Sequence, residues 1–422
     1  MQVLYLLSMN RTLYSALGYL LLPIMVLRLW AKSIKAPSYR QRILQRLGFV
    51  NKIPVPIIWL HCVSVGEFRA AIVLIDQLIE QYPDYRILVT STTPTGAQAV
   101  KKHYQSEVLH YYFPFDLPLI VNHYIKQINP SICLLLETEI WPNLIHALDK
   151  NNIPSLLINA RLSQRSLTKY QKFAPKLAKQ TLNKFNTIAT QNDNSSKRFI
   201  QLGADRQKVL TAGNIKFDQN IDIDPLISKA LTKITQNRQV VAFASTHKGE
   251  EIKIINALKK HPIDAISLII PRHPERFNEV YELTKQNKLS VAKRSDNKAC
   301  GACQVLLGDS MGEMMAYYQL ADIVFMGGSL NNTGGHNMLE PASLAKPILF
   351  GPNVFNFAEI SSDLLQRNAS IQVKDEFELL LQVNRLLDNS TKAQHLGDKA
   401  QQYFKSQQGA LDTLMQKIQS IL

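Results

Sequence analysis

Several segments place acids or bases directly behind apolar runs, where a sheet would open to a ligand. The run Ile57 to Cys62 leads into Val63-Ser64-Val65-Gly66-Glu67, and Ala71, Leu74, Ile75, Leu78 and Ile79 then recur at helical spacing. Glu67 therefore falls at a helix start, where the dipole and free N–H groups favour the ionised carboxylate. Such a group either accepts a proton from a substrate or merely caps its helix. Leu134 to Leu136 runs into Glu137-Thr138-Glu139-Ile140-Trp141-Pro142-Asn143, and strict alternation would turn both carboxylates to one side if the strand persists that far. Lys216, in Asn214-Ile215-Lys216-Phe217-Asp218, follows the last strand of the first half, as a surface lysine or one reaching a cleft.

The second half carries a different chemistry. Ile269-Ile270-Pro271-Arg272-His273-Pro274 brings a guanidinium to a strand's carboxyl end, where it can hold a phosphate with two parallel hydrogen bonds. In Gly308-Asp309-Ser310-Met311-Gly312-Glu313-Met314, Ser310 and Glu313 have capping-box spacing, and the backbone N–H groups from Gly312 onward are candidate phosphate donors. Gly327-Gly328-Ser329 and Gly334-Gly335-His336-Asn337-Met338-Leu339-Glu340-Pro341 feed a further helix, with Glu340 placed to accept from ribose hydroxyls. Six of the chain's 17 glycines fall between Gly308 and Gly335, which favours close backbone approach to a ligand. None of these stretches is a G-x-G-x-x-G or P-loop motif.

The elements that must position these groups alternate β-rich runs with helix-period stretches, the pattern of parallel sheets covered by helices. Strands are expected at 57–62, 86–92, 132–136, 155–159, 187–190 and 209–212, and again at 240–244, 265–270, 304–307, 323–326, 347–350 and 370–373. Two doubly wound halves follow, with ligands expected at the carboxyl ends of strands and in a cleft between domains. The expected divisions are an N-terminal anchor and basic segment over 1–52, a first domain over 53–218, a linker over 219–238, and a second domain with a terminal helix over 239–422.

With 422 residues, 46% hydrophobic and 19% charged, the chain has the apolar content for more than one core and no disordered signature. Its net charge is +15, and eight basic residues precede the first acid, Glu67: Arg11, Arg28, Lys32, Lys35, Arg40, Arg42, Arg46 and Lys52. Among them Thr12 to Leu27 is uncharged, with Tyr5, Tyr14, Tyr19 and Trp30 as interface candidates. This end reads as a membrane-associated helix, spanning or lying in the interface, that holds the remainder on the cytoplasmic side. No basic groove interleaved with aromatics suggests nucleic acid. Cys62, Cys133, Cys300 and Cys303 read as reduced structural thiols, and no metal site is indicated.

Taken together, Ser64 to Glu67, Thr93 to Gly96, Phe113 to Pro118, Glu137 to Asn143, Asn159 to Ser163, Gly213 to Asp218, Ser245 to His247, Pro271 to Phe277, Gly308 to Met314 and Gly327 to Ala342 resemble the 3-deoxy-D-manno-octulosonic acid (Kdo) transferases of lipopolysaccharide biosynthesis. The sequence departs from that pattern at Asn331-Asn332-Thr333 and at Met338. The resemblance implies two Rossmann-like domains of GT-B type, an N-terminus on the cytoplasmic face of the inner membrane, CMP-Kdo as donor and a phosphorylated lipid A precursor, lipid IVA, as acceptor. It implies inverting transfer without cofactor or metal. Glu67 would be the general base, with Glu137 and Lys216 as transition-state stabilisers. Pro271, Arg272, Gly312, Glu313, Met314, Asn337, Met338, Leu339 and Glu340 would contact CMP. The residues alone also permit a GT-B enzyme using a UDP-sugar and a lipid acceptor, or a non-catalytic two-lobed binding protein.

Overall fold

The computed structural model describes residues 9–219 and 223–422, in two units. One unit comprises the chain to residue 219 together with 408–422, and the other extends to residue 407. Tyr5 lies outside the described residues.

The first unit holds a parallel sheet of β1 (Ile57–His61), β2 (Arg86–Ser91), β3 (Leu109–Tyr112), β4 (Pro130–Leu136), β5 (Ser155–Ala160), β6 (Thr187–Thr190) and β7 (Val209–Thr211), in the order β3-β2-β1-β4-β5-β6-β7. The second holds β8 (Val240–Thr246), β9 (Ile266–Pro271), β10 (Val291–Lys293), β11 (Val305–Leu307), β12 (Ile323–Met326), β13 (Ile348–Phe350) and β14 (Ile371–Gln372), in the order β10-β11-β9-β8-β12-β13-β14. Because every pairing is parallel, each sheet has a single edge where all carboxyl ends emerge. Central strands such as Ile57–His61 are buried on both faces, which explains their unbroken apolar runs.

Two strands were not expected, β3 and β10, and both are sheet edges. β3 reads Leu-His-Tyr-Tyr with alternate residues buried, and β10 is only three half-buried residues long, so neither forms an apolar run.

The terminal helix departs from its expected place. Ala410–Gln419 packs on the first unit, burying Leu411, Leu414, Met415 and Ile418 in the same core as Leu74, Ile75 and Leu78 of the helix Val65–Gln81. Asp218 fixes its start, accepting from Gly409 N at 2.7 Å and Leu411 N at 2.8 Å. The expected linker over 219–238 contains a helix, Pro225–Thr235, because Leu231 and Ile234 share a buried face and Asp224 caps it. Cys300 and Cys303 lie 5.3 Å apart at Cα in a turn in which Cys303 N donates to Cys300 O, whereas Cys62 and Cys133 are separate and buried.

The helix Arg11–Lys35 is long and apolar enough to cross a membrane, and the only such helix among the described residues. Its first turns are held by the first unit. Ser15 Oγ donates to Asn143 Oδ1 at 3.0 Å, the Tyr19 hydroxyl accepts from Leu119 N at 3.1 Å, and Gly18 lies where a Cβ would meet Leu117 Cδ2 at 2.6 Å. Tyr14, expected at an interface, is hydrogen-bonded to Asp116 instead. Beyond these contacts Leu20, Ile24, Leu27, Trp30 and Ile34 stand exposed.

Candidate active site

In the first unit the helix Val65–Gln81 begins with Ser64, whose Oγ accepts from Glu67 N. The Glu67 carboxylate turns back, accepting from Val63 N at 2.8 Å and Ser64 Oγ at 3.0 Å. It thus caps its own helix, but the electrostatics differ from the expectation of a carboxyl held low by the helix dipole. Burial pushes Glu67 up to about 7 against the Val63 and Ser64 hydrogen bonds, with Glu137 and Glu139 adding to the rise. Its proton affinity is therefore matched to base catalysis near neutral pH.

Glu137 does not continue β4. Its φ is +61°, a left-handed conformation uncommon for a residue with a Cβ, and this turn rather than strand alternation aims it. Lys216 Nζ approaches Glu137 Oε1 at 3.6 Å. Although β7 lies three strands from β4, Asn159 at the end of β5 bridges the gap by accepting from Ile215 N at 3.2 Å, and Asn214 Oδ1 accepts from Lys216 N at 3.0 Å. Glu67, Glu137 and Lys216 are thus brought to one neighbourhood at the carboxyl edge. Glu139 is tied to Trp141 Nε1 at 2.6 Å, with the buried His61 Nε2 3.7 Å from its carboxylate. His61 carried no signal, because it reads as part of an apolar strand.

In the second unit, the loops after β11, β9, β8 and β12 emerge side by side. Arg272 leaves β9 half-buried, its N–H bonded to Thr246 O at 3.0 Å. It sits close enough to His247 and His336 to lower the proton affinity of both, after burial has done so first. Those two imidazoles stack with their Nε2 atoms 2.7 Å apart, and His336 is pushed down to about 4. Gly327 passes over β8 so closely that a Cβ would lie 2.6 Å from Ser245 O, which excludes any other residue.

The expected contacts divide by what their side chains can reach. Arg272 and Glu340 both act on the buried Tyr318 hydroxyl, and Asn337 Nδ2 donates to Glu340 Oε1 at 3.2 Å. Pro271, Met338 and Leu339 are buried, and Leu339 N donates to Asn337 Oδ1 at 3.2 Å. Gly312, with φ +87° and open space for 4 Å around the place a Cβ would occupy, exposes its backbone at the turn before the helix Met314–Leu320. The capping box expected at Ser310 and Glu313 does not form, because the helix begins at Met314. Glu313 instead accepts from Arg294 Nε at 3.0 Å and Nη2 at 3.1 Å, and from Ser310 Oγ at 2.6 Å. Among the described residues no cluster of His, Cys, Asp or Glu is arranged to hold a metal ion.

Two sheets of this topology, with acids on one and a glycine-rich, arginine-bearing edge on the other, define a GT-B-type enzyme. Solved structures agree on the fold: a glycosyltransferase from Rickettsia africae is 13% identical, with a TM-score of 0.58, over 87% of this chain and 99% of that one. A UDP-GlcNAc 2-epimerase from Neisseria meningitidis bound to UDP-GlcNAc is 14% identical, with a TM-score of 0.58, over 86% of this chain and 100% of that one. Sequence relationships narrow the class. The 3-deoxy-D-manno-octulosonic-acid transferase (kdotransferase) family description matches residues 41–219. A 3-deoxy-D-manno-octulosonic acid transferase from Haemophilus influenzae is 38% identical over 98% of this chain and 99% of its own, and one from Rickettsia felis is 32% identical over 89% and 82%. The chain belongs to the Kdo transferase family.

Proposed function

We propose that this chain transfers Kdo from CMP-Kdo to a lipid A precursor, lipid IVA, in lipopolysaccharide biosynthesis. The observation that carries the catalytic reading is Glu67, at the end of β1 with its proton affinity near neutrality and Glu137 and Lys216 close by. Glu67 takes the proton of the acceptor hydroxyl as that oxygen bonds to the anomeric carbon of Kdo. The anomeric carbon–phosphate oxygen bond breaks, CMP leaves with the electron pair, and the configuration inverts. Glu137 supports the positive charge developing on the sugar, and Lys216 the negative charge developing on the departing phosphate.

Arg272 pairs with the CMP phosphate, Glu340 with the ribose, and the backbone from Gly312 to Met314 and from Asn337 to Leu339 lines the nucleotide. Arg272→Ala is expected to weaken CMP binding by about 10- to 100-fold, the range of a lost charge-assisted hydrogen bond. Calorimetry with CMP and UDP on both proteins checks this. Unchanged CMP affinity in the variant removes Arg272 from the site, and tighter binding of UDP than CMP by the wild type overturns the donor assignment.

The exposed face of Arg11–Lys35, flanked by Lys32, Arg40 and Lys52, attaches the protein to the cytoplasmic face of the inner membrane. Removal of residues 1–30 should leave a cooperatively melting protein that no longer floats with anionic vesicles. Continued flotation at high salt would contradict attachment by this helix.

A further inference from the structure

The short helix Ile43–Arg46 and the Arg42 that precedes it bring together two guanidinium groups without an acidic counterpart. Arg46 is 4% exposed, yet it has one side-chain hydrogen bond, Nη2 to Thr92 O at 2.8 Å, and its Nε is buried without a partner. Arg42 donates from Nη1 to His110 O at 3.2 Å and approaches His110 Nδ1 at the same distance. Both guanidiniums lie against one ring, Arg46 at 4.1 Å and Arg42 at 4.4 Å from the Tyr112 centroid. Neither forms an ion pair with any described carboxylate. His110 adds no charge: burial, then Arg42 and Lys101, push it down to about 3, and with Nδ1 facing Arg42 its Nε2–H is left to donate to Ser91 Oγ at 2.9 Å.

Burying one guanidinium beside another without an anion is costly, and cation–π contact with a single ring offsets little of it. An anion would offset that cost. The pair's position says which one. Thr92, whose carbonyl Arg46 holds, donates from Oγ1 to Val63 O at 3.1 Å, and Val63 N donates to Glu67 Oε2 at 2.8 Å. The arginine pair therefore stands at the ends of β2 and β3, one or two strands from β1, whose following helix carries the base. Leu44, between the two arginines, is 60% exposed and Phe49 59% exposed, so the cations sit beside an apolar surface, as an amphiphile's head group requires.

We propose that Arg42 and Arg46 form the subsite that holds a phosphate group of the lipid acceptor, presenting its hydroxyl to Glu67. This rests on the Kdo-transfer reading above. Binding through a charge-assisted pair predicts a specific kinetic pattern in neutral detergent, with acceptor varied at saturating CMP-Kdo. Arg42→Asn, chosen because Asn tolerates the left-handed backbone of φ +55° at this position, should raise the acceptor KM by about 10- to 100-fold and leave the donor KM unchanged. Arg46→Lys, which keeps the charge but not the fork, should raise the acceptor KM by a smaller factor. Thermal melts identify variants that keep the fold. A wild-type acceptor KM in either folded variant, or an equal rise in donor KM, overturns the subsite. An effect seen only on vesicles of anionic phospholipid and absent in detergent assigns the pair to bilayer head groups and overturns it as well. A wild-type enzyme that makes no Kdo product at all overturns the functional reading itself, which the variants' KM pattern leaves distinguishable.

Discussion

Glu67→Gln is expected to lower kcat/KM by about 10²- to 10⁴-fold, the usual contribution of a positioned general base. Gln keeps an oxygen for Val63 N or Ser64 Oγ, so the helix start survives and the loss reports on proton acceptance rather than folding. A pH profile separates the two readings of this residue. Burial raises the Glu67 carboxyl from its ordinary 4.5 to about 7, so in the wild type the fraction able to accept a proton, and with it kcat/KM, falls as pH drops through about 7. The variant should lack that limb. The stability linkage has the opposite sense: a raised carboxyl pKa means that wild-type stability declines as pH climbs from 4.5 through about 7, and Gln escapes this loss. Near-normal turnover with an unaltered pH profile would return Glu67 to the role of a helix cap.

The second large effect is expected from a residue with no part in the chemistry. Glu250, fully buried at the first turn of the helix Glu250–Lys260, accepts from His247 N at 3.0 Å, Gly328 N at 2.7 Å and Leu330 N at 2.9 Å. Its carboxylate thus joins the end of β8 to the glycine loop that follows β12. Glu250→Ala leaves the buried N–H groups of Gly328 and Leu330 unmatched at about 1–3 kcal/mol each, and the part-buried His247 N–H as well, so the folded state should lose about 2–6 kcal/mol in denaturant titration. Because Gly328 is released from β8, CMP affinity should fall in whatever fraction remains folded. A loss below about 1 kcal/mol would mean that water replaces the carboxylate and that the loop does not depend on it.

Glu250 also shows where reading the sequence reaches its limit. An acid at a helix start looks like a dipole contact, and nothing local announces that its partners lie 78 and 80 residues away. The same holds for Glu313, whose motif was visible but whose partner Arg294 opens a one-turn 3-10 helix after the edge strand β10, and for His247 and His336, joined across 89 residues. The central strands were legible because burial on both faces leaves unbroken apolar runs. The edges β3 and β10 were not, since partly exposed edge strands need no such run. The amphipathic stripe of Ala410–Gln419 announced a helix but not which core it joins, a choice made by Asp218 and the apolar groove along Val65–Gln81.

Mass analysis of the lipid product, with CMP release followed in the same reaction, bears most directly on Kdo transfer. Wild-type protein incubated with CMP-Kdo and lipid IVA in detergent should yield acceptor heavier by one or more Kdo units, with one CMP freed per unit, and Glu67→Gln should yield almost none. CMP release without a heavier lipid, or a heavier lipid formed from a UDP-sugar and not from CMP-Kdo, would contradict the account.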